Sequence, residues 1–284
     1  MKKGAAVAAG TVVAGIGLSG LFSLTGCGKK GKIIGFQLYS LRDAMGQDVP
    51  GTLKITADIG YKSLETAGYD NGKIYGYAPA EFRKMCEDLG MKVTSAHLGQ
   101  GYSPDRDAEI MAWWDKALDA QAAVGCTYAV QPFVPIGGTL DEFKVQCDYF
   151  DKVGEMARKR GLKFGFHNHA GEFEKREGQV LLDYMIANTA PENVIYELDV
   201  YWAVEGGVDP VAYINKYPDR ITLLHVKDHS IIGESGKIDF EAIFNAFYAA
   251  GNEDYYVEIE QYTLPPENCA QRSYDYLMVS PFVK

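Results

Sequence analysis

The stretch LKFGFHNH, Leu162 to His169, is an apolar, β-rich run that ends on an imidazole pair. Three later stretches share its design: VIYELD (Val194–Asp199), ITLLHVKD (Ile221–Asp228) and YYVEIE (Tyr255–Glu260). Each closes on a side chain that binds metals or protons, and each is followed by a helix-like segment. A strand end that delivers such a group, repeated around a βα array, is how a pocket is built at the C-terminal mouth of a barrel. Working outward, strand-like runs also cover Ile33–Tyr39, Ser63–Glu65, Lys92–His97 and Tyr128–Gln131. With Leu162–His167, Val194–Asp199, Thr222–Val226 and Tyr255–Glu260 they make eight.

The segments between them carry helix punctuation. Pro79-Ala80-Glu81 opens one helix and Leu89-Gly90 closes it. Thr139-Leu140-Asp141-Glu142 has capping-box character and Arg160-Gly161 terminates the helix it starts. Asp209-Pro210 and Asp239-Phe240-Glu241 begin two more, the last ending at Ala250-Gly251. Parallel strands need long crossovers. Eight βα units in roughly 250 residues fit a single-domain α/β fold, the (β/α)8 TIM barrel. No glycine-rich fingerprint follows the first strand, which disfavours a dinucleotide-binding sheet.

The first 26 residues are different. Lys2 and Lys3 precede an uncharged Ala/Gly/Val/Leu stretch that ends Leu24-Thr25-Gly26-Cys27. A basic start, an apolar middle and small residues before the processing point predict an export signal over residues 1–26. The ending resembles a bacterial lipobox, which implies lipidation of Cys27. Residues 27–32 then form a tether and residues 33–284 the catalytic domain. The chain is expected to be exported and lipid-anchored in the cell envelope, facing the periplasm, with membrane contact only through that anchor. Removing Lys2 and Lys3 takes the formal net charge from −10 to −12. An acidic chain without a basic stripe is not a nucleic-acid binder, which also disfavours an endonuclease. Cys86, Cys126, Cys147 and Cys269 form no CxxC pair and no zinc spacing, and read as scattered buried thiols.

Residues two apart on a strand share a face. His167 pairs in this way with His169, Glu197 with Asp199, His225 with Lys227, and Glu258 with Glu260. If these faces point inward, the mouth concentrates charge that only ion pairing or a bound cation makes tolerable. A lone strand-end histidine is usually structural; recurrence in four successive units is what predicts a site. His167, Asp199, His225 and Glu260 are the predicted ligands of one divalent ion, manganese, cobalt or magnesium, with zinc also compatible.

Six motifs together give the chain a resemblance: Gly35–Asp43 (GFQLYSLRD), Gly60–Glu65 (GYKSLE), His167–Phe173 (HNHAGEF), Leu198–Ala203 (LDVYWA), His225–Asp228 (HVKD) and Val257–Gln261 (VEIEQ). They resemble the xylose-isomerase-like TIM-barrel group of sugar phosphate isomerases and epimerases. Its relatives include ketose 3-epimerases, inosose dehydratases, dehydroshikimate dehydratases and enzymes that cleave 3-keto-glycosides. The resemblance implies a metal held by the ends of strands five to eight, the same four residues. It also marks two departures. Many relatives have Glu where this chain has His167, and many have His where it has Trp202, here either an aromatic platform for a sugar ring or a packing Trp.

The chemistry expected is enolisation of a sugar or keto-sugar: an ion polarises the carbonyl and a base takes the α-proton. His169 is the expected base. Glu260 would serve as ligand and base together, and Glu172 and Lys227 as orienting groups or acid. Glu65, His97 and Gln131 end strands two to four, and Arg42 follows strand one; with Trp202 they are the expected substrate contacts. Reprotonation gives epimerisation or isomerisation. Expulsion of a β-leaving group instead gives a lyase acting on a 3-keto-glycoside. A third reading keeps the barrel as a non-catalytic sugar-binding lipoprotein. The expected partner in every case is a small carbohydrate.

Overall fold

The computed structural model describes residue 1 and residues 31–284. The export signal beyond Met1, Cys27 and the tether up to residue 30 lie outside the described residues. From Lys32 onward the chain forms one compact unit.

Eight strands build the fold: β1 (Gly35–Gln37), β2 (Ser63–Thr66), β3 (Lys92–Ala96), β4 (Tyr128–Gln131), β5 (Lys163–His167), β6 (Val194–Asp199), β7 (Ile221–Lys227) and β8 (Tyr255–Glu258). Their order is β3-β2-β1-β8-β7-β6-β5-β4, and every pairing is parallel. The two ends of that order meet. His97 bridges Val130, and the Thr127 N–H donates to Thr94 O at 2.7 Å. The barrel therefore closes, with the (β/α)8 architecture expected from the alternation.

The helices start and stop where the punctuation places them. The helix Pro79–Asp88 begins on its proline. Thr139 caps Leu140–Arg158 through a reciprocal box with Glu142, and Asp209 and Asp239 cap Pro210–Lys216 and Phe240–Ala249. Two expected strands are shorter than read by two or more residues, and those over Lys92–His97 and Leu162–His167 by one residue each. The first ends at Gln37, and Leu38–Leu41 turn into a 3-10 helix. The last ends at Glu258, where the Ile259 N–H leaves the ladder to donate to Ser40 Oγ at 2.8 Å.

Apolar side chains on the outer strand faces pack under the helices, with Phe36, Leu64, Phe164, Phe166 and Val257 fully or nearly fully buried. Tyr128, Val130, Leu223 and Tyr256 plug the barrel interior. Gly35 is required beside this plug. A Cβ there would stand 2.1 Å from Tyr255 O, so only glycine lets β1 and β8 lie this close. The apolar plug ends one layer below the mouth, and the inward strand-end side chains above it are polar.

Candidate metal centre

Above the plug the inward positions are Glu65, His97, His167, Glu197, Asp199, His225, Lys227 and Glu258. Parallel register makes them neighbours: Glu197 pairs with His167, Asp199 with His225, and Lys227 with Glu258. Strand alternation sends the intervening residues elsewhere. Asn168 stitches two strand ends together, its Oδ1 accepting the Asp199 N–H at 3.1 Å. Asp228 turns outward and accepts the N–H groups of His229, Gly233 and Ser235.

The cluster has two storeys. In the upper one, His167 Nε2 lies 3.9 Å from Asp199 Oδ2, which is 4.0 Å from His225 Nδ1. His225 Nδ1 in turn lies 3.4 Å from Glu258 Oε2. One ligand atom from each of these four residues falls within 4.8 Å of all the others. Asp199 Oδ1 caps the following helix, Val200–Glu205, by accepting the Trp202 N–H at 2.8 Å. Asp199 Oδ2 is buried and has no hydrogen-bond partner. A buried carboxylate oxygen without a donor costs about 1–3 kcal/mol or more. A cation among these four groups removes that cost, and two imidazoles with two carboxylates balance a divalent charge. The residues present fit a divalent ion.

In the lower storey, Glu65 Oε2 lies 2.6 Å from His225 Nε2 and 3.2 Å from His97 Nε2. Glu197 Oε2 lies 2.7 Å from His97 Nε2, 3.2 Å from His167 Nδ1 and 3.3 Å from His225 Nε2. The His97 ring stacks on that of His225 at 4.8 Å between centroids. His97, His167, Glu197 and His225 form a second group with metal-ligand spacing.

Electrostatics follow from burial and pairing. Burial pushes the Asp199 carboxyl up to about 7. Burial alone would also raise Glu258, but His225 and Lys227 overturn it and hold that carboxyl well below its usual range. Burial opposes charge on His225, yet Glu197, Glu258 and Glu65 around it raise its basicity well above normal. His167 goes the other way, since burial and the positive neighbours hold its ring neutral. His169 is depressed mainly by burial, with Lys227 adding to it. Lys227 overcomes its own burial through Asp199, Glu258 and Glu260 and stays charged.

Three of the four predicted ligands, His167, Asp199 and His225, are thus brought together. The fourth residue of the group with ligand spacing is Glu258, and the expected Glu260 is not part of it. Because β8 stops at Glu258, Glu260 has already left the ladder, and its part-exposed carboxylate pairs with Lys227 on the rim. Lys227 also donates to Glu258 at 3.1 Å. His169 stands beside the cluster, its ring 5.0 Å from His167 and 5.5 Å from Trp202. The Trp202 ring faces the Lys227 ammonium at 4.8 Å, so one of its faces is occupied by the site's own cation. Glu172 accepts the His169 backbone N–H at 2.8 Å, and so shapes the loop that carries His169.

Other expected substrate contacts are placed differently. Glu65 is fully buried and saturated by Gln37, Ser95 and His225, with no face toward the mouth. His97 belongs to the lower storey. Gln131 turns away from the barrel axis, accepting from Tyr149 Oη at 3.0 Å and donating to Phe133 O. Arg42 does sit at the rim. It donates to Tyr262 Oη, Tyr39 O and Glu260 O, bracing the loop after β8. Sequence reasoning passed over Glu197 and Glu258 as site residues, although each stands two positions before a selected carboxylate and shares its face.

The family model described as a xylose isomerase-like TIM barrel matches residues 53–278. Among solved structures, a sugar phosphate isomerase/epimerase from Parabacteroides distasonis ATCC 8503 is 38% identical with a TM-score of 0.84, covering 89% of this chain and 100% of that one. Among curated proteins, the inosose dehydratase of Geobacillus kaustophilus is 23% identical over 215 residues, 65% of this chain and 66% of that protein. That of Clostridium beijerinckii is 33% identical over 89 residues, 31% of this chain and 29% of its own length. The chain therefore spans less than two-thirds of the length of these curated relatives.

Proposed function

The chain belongs to the xylose isomerase-like TIM-barrel family, and from that premise we propose that it is a divalent-metal-dependent enzyme that enolises a sugar or keto-sugar and thereby isomerises or epimerises it. The observation that carries this reading is the convergence of His167, Asp199, His225 and Glu258 around an unpartnered buried carboxylate oxygen, beside a neutral imidazole.

His167, Asp199, His225 and Glu258 would hold the ion. When bound, the ion supplies Lewis-acid polarisation of a carbonyl and makes the neighbouring C–H acidic. His169 takes the proton from that carbon, and its neutral state makes it ready to do so. Its place beside the cluster is set by the Glu172 carboxylate that grips its backbone. Lys227 keeps a fixed positive charge beside the substrate oxygens and is itself held by Glu258 and Glu260. Trp202 walls the same side and restricts water there. Protonation of the same carbon from the opposite face, which requires a second donor across the pocket, epimerises it; delivery of the His169 proton to the adjacent carbon isomerises the sugar.

A second reading is elimination. The curated inosose dehydratase relatives favour it, as does the Lys227 ammonium, which would stabilise an oxygen leaving from the β-carbon. Both readings share the first proton transfer. We further propose that Cys27 is lipidated and that the barrel works in the cell envelope, a reading supported by the Leu24–Cys27 sequence. An enzyme placed there meets free sugars and oxidised glycosides rather than sugar phosphates.

The test is incubation in D2O with manganese or cobalt, and free ketoses, inososes and 3-keto-glycosides as substrates, followed by NMR. Deuterium entering the carbon beside the carbonyl, lost on chelation and restored by metal, supports enolisation, and the product identifies which fate follows. A metal-loaded protein that exchanges no substrate proton across the panel would instead be a sugar-binding protein.

A further inference from the structure

The two imidazoles of the upper storey each have a second nitrogen, and both second nitrogens point down onto carboxylates. His225 turns Nδ1 up toward Asp199 and Glu258, and Nε2 down to Glu65 at 2.6 Å. His167 does the reverse, with Nε2 up toward Asp199 and Nδ1 down to Glu197 at 3.2 Å. His225 meets carboxylates on both sides, but an imidazole that ligates an ion gives it one lone pair and keeps one N–H; with the ion among the upper carboxylates, the proton stays on the lower nitrogen, where a carboxylate accepts it.

We propose that Glu65 and Glu197 are positioning residues: they lock His225 in its Nε2–H form and His167 in its Nδ1–H form, so that opposite ring nitrogens present their lone pairs to one ion in the upper storey. This inference rests on the metal-dependent reading above. Glu65 is built for the task. It is completely buried, and its carboxylate is itself held by the Gln37 amide at 2.8 Å and the Ser95 hydroxyl at 2.5 Å. Its orientation is therefore set by β1 and β3, and it passes that orientation to a ligand on β7. Glu197 takes its orientation from His97 at 2.7 Å. His97 thus acts at one further remove, stacked flat on His225. Neither carboxylate reaches the mouth, so neither is a catalytic residue. Glu197 Oε1 is itself buried without a partner, but with the upper ion bound the lower imidazole nitrogens carry their protons toward Glu65 and Glu197 Oε2, which makes this storey a support and not a second ion site.

Carboxylates in this role are worth about 10- to 100-fold in metal affinity. Manganese titration by calorimetry of the full-length protein and of Glu65→Gln and Glu197→Gln is the test. The expected result is one ion per wild-type chain, with dissociation constants about 10- to 100-fold higher in each variant and an unchanged circular dichroism spectrum. A conservative Glu65→Asp should recover part of the loss. Should the Gln variants misfold, 15N NMR of the histidines in magnesium- or zinc-loaded wild type reports the same assignment, with protonated Nε2 on His225 and protonated Nδ1 on His167. Unchanged affinity in both variants, or the opposite protonation pattern, overturns the positioning role while leaving the metal site intact. Two ions per wild-type chain falling to one in Glu65→Gln overturns it too, since Glu65 would then be a ligand of a lower ion. Absence of any bound ion in the wild type removes the underlying reading, and the proposal with it.

Discussion

The end of β8 separates two glutamates that sequence parity alone treats as equivalent. Glu258 and Glu260 share a face in an ideal strand, but the ladder stops between them, and only Glu258 stays with His225. His225→Ala should abolish manganese binding and activity with little loss of fold. Glu258→Gln should weaken the ion strongly, whereas Glu260→Gln should change its affinity little and act on turnover through Lys227; equal losses of affinity would contradict this division. His169→Ala should leave metal affinity within a few-fold of wild type while lowering the rate of α-proton exchange by about 10²- to 10⁴-fold. Unchanged exchange would remove His169 as the base. His167, Asp199 and His225 were legible in the sequence because each ends an apolar run, and this signal survives without coordinates. Glu258 was not, because the strand's end depends on a single backbone N–H diverted to Ser40, more than two hundred residues away.

Elements position these groups more than propensity suggests. The H-N-H triplet works because its middle residue, Asn168, ties the end of β5 to that of β6 while its neighbours point to the site. Helix boundaries were readable from caps, since Thr139, Asp209 and Asp239 satisfy free N–H groups wherever the chain runs. Inward or outward aim at the strand ends was less readable, and Gln131 shows why. Tyr149, on the helix after β4, offers its hydroxyl and draws the amide away from the mouth. Glu65 is pulled inward instead by Gln37 and Ser95. Closure between β1 and β8 rests on Gly35, so Gly35→Ala should destabilise the protein by about 1–3 kcal/mol in urea denaturation, or more. Gly46, in the helix Arg42–Gln47 with open space around its Cβ position, is the control. Gly46→Ala should be stabilising by about 0.4–1 kcal/mol. A Gly35→Ala protein as stable as wild type would contradict the strand spacing described.

At the scale of the molecule, the apolar plug and the polar storeys divide one barrel into a half that folds and a half that reacts. The eightfold alternation made the barrel readable, whereas the two-storey arrangement comes from register between strands distant in sequence. Among the described residues, the cysteines play no part in the polar cluster. Cys86, Cys126, Cys147 and Cys269 are free and buried, and burial pushes the Cys86 and Cys147 thiols up to about 12. None of these four should react with iodoacetamide at about pH 8 in the native state, and all should do so in urea, as mapped by mass spectrometry. The chain enters β1 on the face opposite the mouth, where the Lys32 ammonium caps the C-terminal helix Pro266–Val279 by donating to Leu277 O, Met278 O and Ser280 O. Labelling with radioactive palmitate in a bacterial host should mark the wild type and not Cys27→Ser; equal labelling would end the anchor proposal. The central claim is tested most directly by anomalous diffraction from manganese-soaked crystals. One peak per chain is expected, bounded by His167 Nε2, Asp199 Oδ2, His225 Nδ1 and Glu258 Oε2. A peak in the lower storey between Glu65, His97 and Glu197, or none at a saturating concentration, would contradict it.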